Sequence, residues 1–584
     1  MSTTTTTTFP PVTLADWQAL VDKELAGRAF EKALVHEAMA GIRIAPLYTD
    51  APPQAEQRRE LGTPSFRICV RPEKGNSVDQ MAAEVAEGAD ALWLPLEDLP
   101  PGLLERPELA PAFLILDVTS AQPEALINTL INKLIGAESA TSQAQSGRRF
   151  ALGFDPLARR AAGQAGAATL QEDLAALGRT AQLLEQRCSG AAAAVVSTLP
   201  YHDAGADAAD ELAFALSTGV CYLGALLDAG LTPDQAARQI ALRVAVGRDT
   251  FVELCKLRAL RVCWRKILTA SGAGGSPRTL VHAVCSHRTL TVRDPWVNML
   301  RTTTQLFAAV LGGAELVTPT AFDEAFGAPA ALGRRIARNT GLVLREESAL
   351  GQVLDPAGGS YYFETLTDSL AREAWRRFQK LEQAGGIAAG LASGQIARQL
   401  ESAWQSRLEQ LAKRKAPILG TSEFANLDET LPQPPPPAQA PVPSEGALPV
   451  HRDAAAFEEL RLLAESGERA PEALLVTLGT FAESRARVGF AVSFFAAGGI
   501  RTRESAADAS ERADLVCICG TDERYAAEAA ERVRLLKAAG CQRVLVAGRP
   551  GALEKSLREA GVDGFIFVGC DVVATLRALL ETRS

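Results

Sequence analysis

The chain has 584 residues, 47% of them hydrophobic and 22% charged, with a formal net charge of −9. At roughly 150 residues per domain, that length exceeds one hydrophobic core and implies two to four domains of ordinary globular composition. The acidic balance excludes a nucleic-acid groove, which needs a basic face against phosphates, and ten scattered cysteines without a short framework fit a reducing compartment.

The N-terminus, MSTTTTTTFPPVT, lacks the basic start and apolar centre of a signal peptide. No run of about 18 apolar residues suggests a membrane span, so the chain reads as cytoplasmic. Residues 1–55, centred on 17–48, stand outside any β-α alternation and predict an arm that contacts a partner. From 56 to 410 the apolar runs FRICV, ALWLPL, AFLILDV, RFALGF, AAAVVSTL and TLVHAVC alternate with stretches of helical period such as RDTFVELCKLRALRVCWRKIL. Strands at that spacing, with more helix after them, predict a (β/α)8 barrel, and the charged segment 364–411 predicts a helical extension.

Several polar residues stand out in this part. His202, in STLPYHDAGAD, follows a predicted strand and precedes a helix, where barrel enzymes place reacting groups; it is a candidate acid, base or substrate contact. His282 and His287 in LVHAVCSHRTL are spaced so that they do not share one strand face, and they read as ordinary hydrogen-bonded histidines. Lys256, Arg258 and Arg261 predict a basic helix face, solvated or at an interface, with Glu253 placed i, i+3 to pair with Lys256. Asp355, in LDPAGGSYYFE, belongs to a turn-forming set that positions Tyr361 and Tyr362.

The run LPQPPPPAQAPVPSEG, residues 431–446, lacks backbone donors at its prolines and favours a semi-rigid spacer at the end of a linker spanning 411–446. In 447–584 the runs LLVTLG, IRTRE, DLVCICG, RVLVAG and GFIFVG alternate with helical patterns, which predicts a doubly wound parallel sheet. In ESRARVGFAVSFF, Val488, Val492 and Phe495 repeat at helical spacing on one face, and the helix stops at Gly498-Gly499. The preceding turn, GTFAES, has a single glycine and matches neither G-x-G-x-x-G nor a Walker loop, so its backbone is not shaped for a pyrophosphate. His451 is the only histidine of this part, which leaves no imidazole set for a metal, and Cys517 and Cys519 read as residues of a buried strand.

The segments GRDTFVELCKLRALRVCW, RTTTQLFAAVLGGAELVTPTAFDEAFGAP and RIARNTGL followed by LDPAGGSYYFETLTDSLAREAW together resemble the methylmalonyl-CoA mutase family, in family order and spacing and over nearly the whole chain. The resemblance implies an N-terminal arm, a substrate-binding TIM barrel, a linker and a flavodoxin-like domain that binds adenosylcobalamin in catalytic members. Those members carry D-x-H-x-x-G at the GTFAES turn, the histidine ligating cobalt and the aspartate holding its other nitrogen. Aligned without gaps, the three positions fall on Phe481, Glu483 and Ala486; a later S-x-L falls on Cys519, Gly520 and Thr521, and a glycine pair on Ala547-Gly548.

The barrel departs from the family as well. The tyrosine of an R-x-Y-A-G-F segment has no counterpart in FRICVRPEKG. A Y-H-M-Q-E-A-G segment resembles YHDAGA in two registers: ungapped, Pro200 stands at the histidine and His202 at the glutamine, whereas a two-residue gap restores Tyr201-His202. In R-T-H-S-Q-T-S-G, His282 keeps the histidine, while Leu280 and Val284 replace the arginine and glutamine that reach the substrate.

Loss of polar contacts in two domains points to one cause. The chain resembles the small (beta), non-catalytic subunit of heterodimeric mutases, whose large subunit binds cobalamin and interconverts (R)-methylmalonyl-CoA and succinyl-CoA in propionate metabolism. The resemblance implies no catalytic, cofactor-binding or metal-ligating residue on this chain, adenosylcobalamin on the partner large subunit, and neither nucleic acid nor membrane as partner. Two alternatives stand beside it: an active acyl-CoA mutase that holds cobalamin without a histidine ligand, and a scaffold or chaperone for a related acyl-CoA mutase.

Overall fold

The computed structural model describes residues 12–581 except 40, 53–64, 74, 120–124, 133–148, 189, 276–277, 433–445, 468 and 506–512. The most proline-rich part of the linker therefore lies outside the described residues. A short antiparallel hairpin, β1 (His36–Met39) and β2 (Ile42–Ile44), precedes the first large sheet. That sheet contains β3 (Arg67–Val70), β4 (Ala91–Pro95), β5 (Phe113–Asp117), β6 (Phe150–Gly153), β7 (Ala194–Ser197), β8 (Ile240–Val246), β9 (Val281–Cys285) and β10 (Leu316–Thr318).

Neighbouring strands are parallel and follow chain order, and β10 pairs back onto β3. Between β6 and β7 the ring is closed by the Ala151–Ala192 bridge, in which Leu152 N donates to Ala192 O at 2.8 Å. The result is a (β/α)8 barrel. Cys69, Trp93, Phe113, Ile115, Val195, Ala241, Val284 and Leu316 form an inner cluster, so side chains fill the barrel axis. Two of the strands, β8 and β10, lie outside the six predicted runs. Arg243 interrupts the apolar run of β8, and β10 has only three residues.

Three helices, Ala208–Asp228, Thr250–Ala270 and Tyr361–Gln383, pack on one another outside the barrel. The first is long and apolar enough to cross a membrane, but 72% of its most apolar stretch is buried in this fold. Their packing overturns the expected solvated basic face. Lys256, Arg258 and Arg261 are all buried, because distant segments bring a carboxylate to each cation. Lys256 Nζ lies 2.6 Å from Glu253 and 3.2 Å from Glu211; Arg258 pairs with Asp355 and, at 2.6 Å, with Glu364; Arg261 pairs with Glu315 at 2.7 Å. Asp355 is thus an ion-pair partner as well as a turn residue. The i, i+3 pairing of Glu253 with Lys256 is observed as expected.

The second sheet contains β11 (Glu472–Thr477), β12 (Arg501–Ser505), β13 (Leu515–Cys519), β14 (Arg543–Ala547) and β15 (Gly564–Ile566), all parallel in the order β12-β11-β13-β14-β15. This is the flavodoxin-like order, and all five strands match predicted runs. Cys517 and Cys519 are buried on one face of β13. In the helix Phe481–Ala496 the apolar face is displaced from the expected one. Val488 and Phe495 are buried, but Val492 is 38% exposed, and Ala491 and Phe494 complete the inward arc.

The arm consists of the helices Leu14–Leu25 and Phe30–Leu34 and the hairpin. It is anchored by buried Ile42 and by Tyr48, whose ring lies 5.2 Å from that of Tyr362. Leu14, Leu20 and Leu47 point away from the fold and are exposed.

The two sheets are joined through the loop after β9. Val292 N donates to Glu458 at 2.7 Å, and Arg293 pairs with Glu465 at 2.6 Å and Glu429 at 3.5 Å. Glu429 also pairs with Arg461 at 3.1 Å. Asp453 accepts from Arg407 at 2.6 Å.

Candidate functional site

A barrel presents loops at the carboxyl ends of its strands, and an open α/β sheet presents a crevice where its strand order reverses.

At the barrel mouth, His202 lies in the short helix Leu199–Asp203 that follows β7, the position expected of a reacting group. Its Nδ1 is 2.7 Å from Glu211 Oε1 and its Nε2 is 2.6 Å from Ser286 Oγ. Glu211 also accepts from Thr198 Oγ1 at 3.0 Å and from Lys256. Burial works against its charge, but the Lys256 cation and the interaction with His202 outweigh burial and pull the carboxyl down to about 2. Neither Glu211 nor Ser286 stands out in the sequence; the one hint is a glutamate inside the apolar helix run ADELAFAL.

His282 is elsewhere, on β9 inside the barrel. Arg243 Nε donates to its Nδ1 at 3.2 Å, so its Nε2–H points to Thr318 Oγ1, 2.7 Å away. Burial and the Arg243 cation keep the ring neutral by lowering its pKa well below the usual value. Arg243 in turn grips Asp117 through two bonds of 3.1 and 2.9 Å and lies 4.1 Å from the Trp93 ring centroid. The barrel core therefore carries a satisfied polar network rather than a channel. His287 sits on the turn after β9, 3.4 Å from Glu324 O, and does not join His282, as their spacing predicts.

Above this network is a cavity of about 430 Å³ lined by Arg71, Trp93, His202, Val284, Ser286 and His287 among others. Arg71 stands over Trp93 with its guanidinium 4.9 Å from the ring centroid. Two further arginines of the lining, Arg334 and Arg338, are neutralised by Glu73 and by Glu84 and Glu87. Of the two residues at the family's substrate positions, Val284 lines the cavity, while Leu280 packs against the inner cluster.

The crevice of the second sheet lies between the ends of β11 and β13. Thr480 caps the helix after β11, and Glu483 closes a capping box by accepting from Thr480 N at 2.6 Å. The other side of the same carboxylate accepts from Arg524 Nε at 3.1 Å, across the reversal point. Thr480 and Arg524 together pull the Glu483 pKa down to about 2. Phe481 is 69% exposed beside it, with Arg485 over its ring, and Ala486 is exposed.

The next gap along the sheet is filled in the same manner. Arg487 donates to Ala547 O at 2.5 Å and to Asp522 at 3.0 Å. Tyr525 Oη accepts from Gly520 N at 2.9 Å and donates to Ala547 O at 2.8 Å. A Cβ on Gly548 would lie 2.4 Å from Arg487 Nη1, so a larger residue here would displace the tip of that arginine. Cys519, Gly520, Thr521, Ala547 and Gly548 thus line a crevice that this chain's own side chains occupy. Among the described residues no cluster of ligating side chains has the makeup of a metal site.

A model of the methylmalonyl-CoA mutase family matches residues 125–445. The chain is 37% identical to the methylmalonyl-CoA mutase small subunit of Streptomyces virginiae, over 98% of this chain and 97% of that one. It is 33% identical to the methylmalonyl-CoA mutase small subunit of Propionibacterium freudenreichii subsp. shermanii, over 98% and 95% of the two chains. The methylmalonyl-CoA mutase of Escherichia coli is 36% identical over a shorter stretch, 39% of this chain and 33% of that protein. With its barrel, its flavodoxin-like sheet and full-length relatives of that name, this chain belongs to the methylmalonyl-CoA mutase family, on the side of its small subunits.

Proposed function

We propose that this chain is the non-catalytic small subunit of a heterodimeric mutase. It stabilises a homologous large subunit, which binds adenosylcobalamin and interconverts (R)-methylmalonyl-CoA and succinyl-CoA. The observation that carries this reading is the filled crevice. Glu483 is engaged by Thr480 and Arg524, and Arg487 and Tyr525 close over Ala547, so the side chains present do not fit a corrin ring or a histidine-ligated cobalt. No step of the rearrangement is assigned to this chain.

The arm supports the subunit role. Its first helix buries only Leu25 in this fold and leaves Leu14 and Leu20 exposed, an apolar face suited to a partner chain. An obligate interface of above roughly 2,000 Å² is expected. The setting is cytoplasmic, with no nucleic acid or membrane as partner.

Co-expression with a large subunit tests the reading. A one-to-one complex that carries activity and cobalamin, against a small subunit alone that retains no cobalamin absorbance after desalting, is the expected result. A monodisperse monomer that ignores the large subunit would sink it, and cobalamin retained by this chain alone would favour an active mutase without a histidine ligand.

A further inference from the structure

We propose that Ser286, His202 and Glu211 form a nucleophile, base and orienting carboxylate that hydrolyse a short activated acyl ester or thioester at the barrel mouth. The two contacts of His202, 2.6 Å to Ser286 Oγ and 2.7 Å to Glu211 Oε1, give the mutual geometry of an activated serine, which is recognised by geometry and not by chain order. Glu211, held ionised, takes the Nδ1–H of the ring. The Nε2 lone pair then faces the serine hydroxyl.

Charge balance leaves room for an imidazolium. Lys256 is shared by Glu211 and Glu253, Arg288 and Asp203 lie beside the same ring, and Glu211 faces an imidazolium directly at 2.7 Å. The placement also suits chemistry. Ser286 follows β9 and His202 follows β7 at the carboxyl face, while Glu211 reaches in from the helix Ala208–Asp228 behind them. Both Ser286 and His202 line the cavity of about 430 Å³, room for a short acyl group and part of its leaving group.

The step closes without a cofactor. Ser286 Oγ bonds to the acyl carbon while its proton passes to His202 Nε2. The bond to the leaving alcohol or thiol breaks, and that group takes the proton from Nε2. Water, losing a proton to the same nitrogen, then attacks the acyl-serine; acid is released and Ser286 recovers its proton. Ester plus water becomes acid plus alcohol or thiol. This activity does not depend on the subunit reading, since it needs only this chain.

The full-length chain is treated with a fluorophosphonate and mapped by peptide mass spectrometry, and is assayed with p-nitrophenyl acetate and acetyl-CoA. The expected result is an adduct on Ser286 and saturable hydrolysis that falls on the order of 10²-fold or more in Ser286→Ala and in His202→Gln. Thiol release from acetyl-CoA assigns a thioesterase, and release of nitrophenol alone assigns an oxygen esterase. Should either variant fail to fold, the adduct on the unaltered chain decides. An adduct elsewhere or none, or hydrolysis unchanged in a folded Ser286→Ala chain, overturns the proposal.

Discussion

The barrel mouth and the sheet crevice use their side chains in opposite ways. At the mouth, ionised groups are buried among helices and an open cavity remains above them. In the crevice the space itself is taken, by side chains that stay partly in water: Arg524 and Glu483 are 38% and 33% exposed. The difference teaches where charge is structural. Removing one member of a buried, shared set leaves an uncompensated charge in the interior, whereas an exposed pair occupies volume at little cost in either direction.

Lys256→Met gives the sharpest contrast, because it leaves Glu211 and Glu253 buried without their cation. A loss of roughly 3–5 kcal/mol in denaturant unfolding is expected; a loss under 1 kcal/mol would erase the distinction between the two regions. Asp453 extends the same logic to the junction. Burial raises its pKa, but Arg407 and Arg288 outweigh burial and bring it down to about 2. Its folded value lies below the unfolded one, about 3.9, so its contribution is complete above pH 4 and disappears as the pH falls towards 2. Asp453→Asn should accordingly cost roughly 2–3 kcal/mol near neutrality, and the gap between variant and parent should close on acidification.

Within the crevice, Tyr525→Phe removes the hydroxyl that serves both Gly520 N and Ala547 O. Thermal unfolding should register a loss of roughly 1–3 kcal/mol. The smallest effect is expected from Arg524→Met, which breaks the half-exposed pairs with Glu483 and Glu528 and should leave the thermal midpoint close to that of the parent. If that change proved as costly as Lys256→Met, the crevice would be a structural core and not a plugged space.

Legibility in the sequence followed the range of the interactions. Four strands of the second sheet are short apolar runs bordered by turn residues and could be recognised from their own composition, while the polar edge strand β12, RTRES, was found from its place in the alternation. β8 escaped because Arg243 breaks its apolar run, although that arginine faces Asp117 and His282 inside the barrel. The basic residues of the helix Thr250–Ala270 looked solvated because their partners are remote. Glu364 is 106 residues from Arg258, and Glu211 is 45 from Lys256. The crevice shows the same limit from the other side. Phe481, Glu483 and Ala486 could be set against a motif position by position, while the residues that fill the crevice, Arg487, Arg524 and Tyr525, belong to no motif. Ser286 lies 84 residues from His202, and only the barrel brings them together.

Glu429 joins Arg293, from the loop after β9, to Arg461, from the helix that precedes β11, and all three side chains are nearly closed to solvent. Separating the two halves of the molecule would take Arg293 away from Glu465 and divide the shared Glu429 pairs, leaving Arg461 only Glu465 of its own helix. The halves are therefore thermodynamically coupled, and the chain should melt in a single calorimetric endotherm despite its two sheets. A subunit that melts as one body can pass the stability of its barrel to whatever rests on its arm.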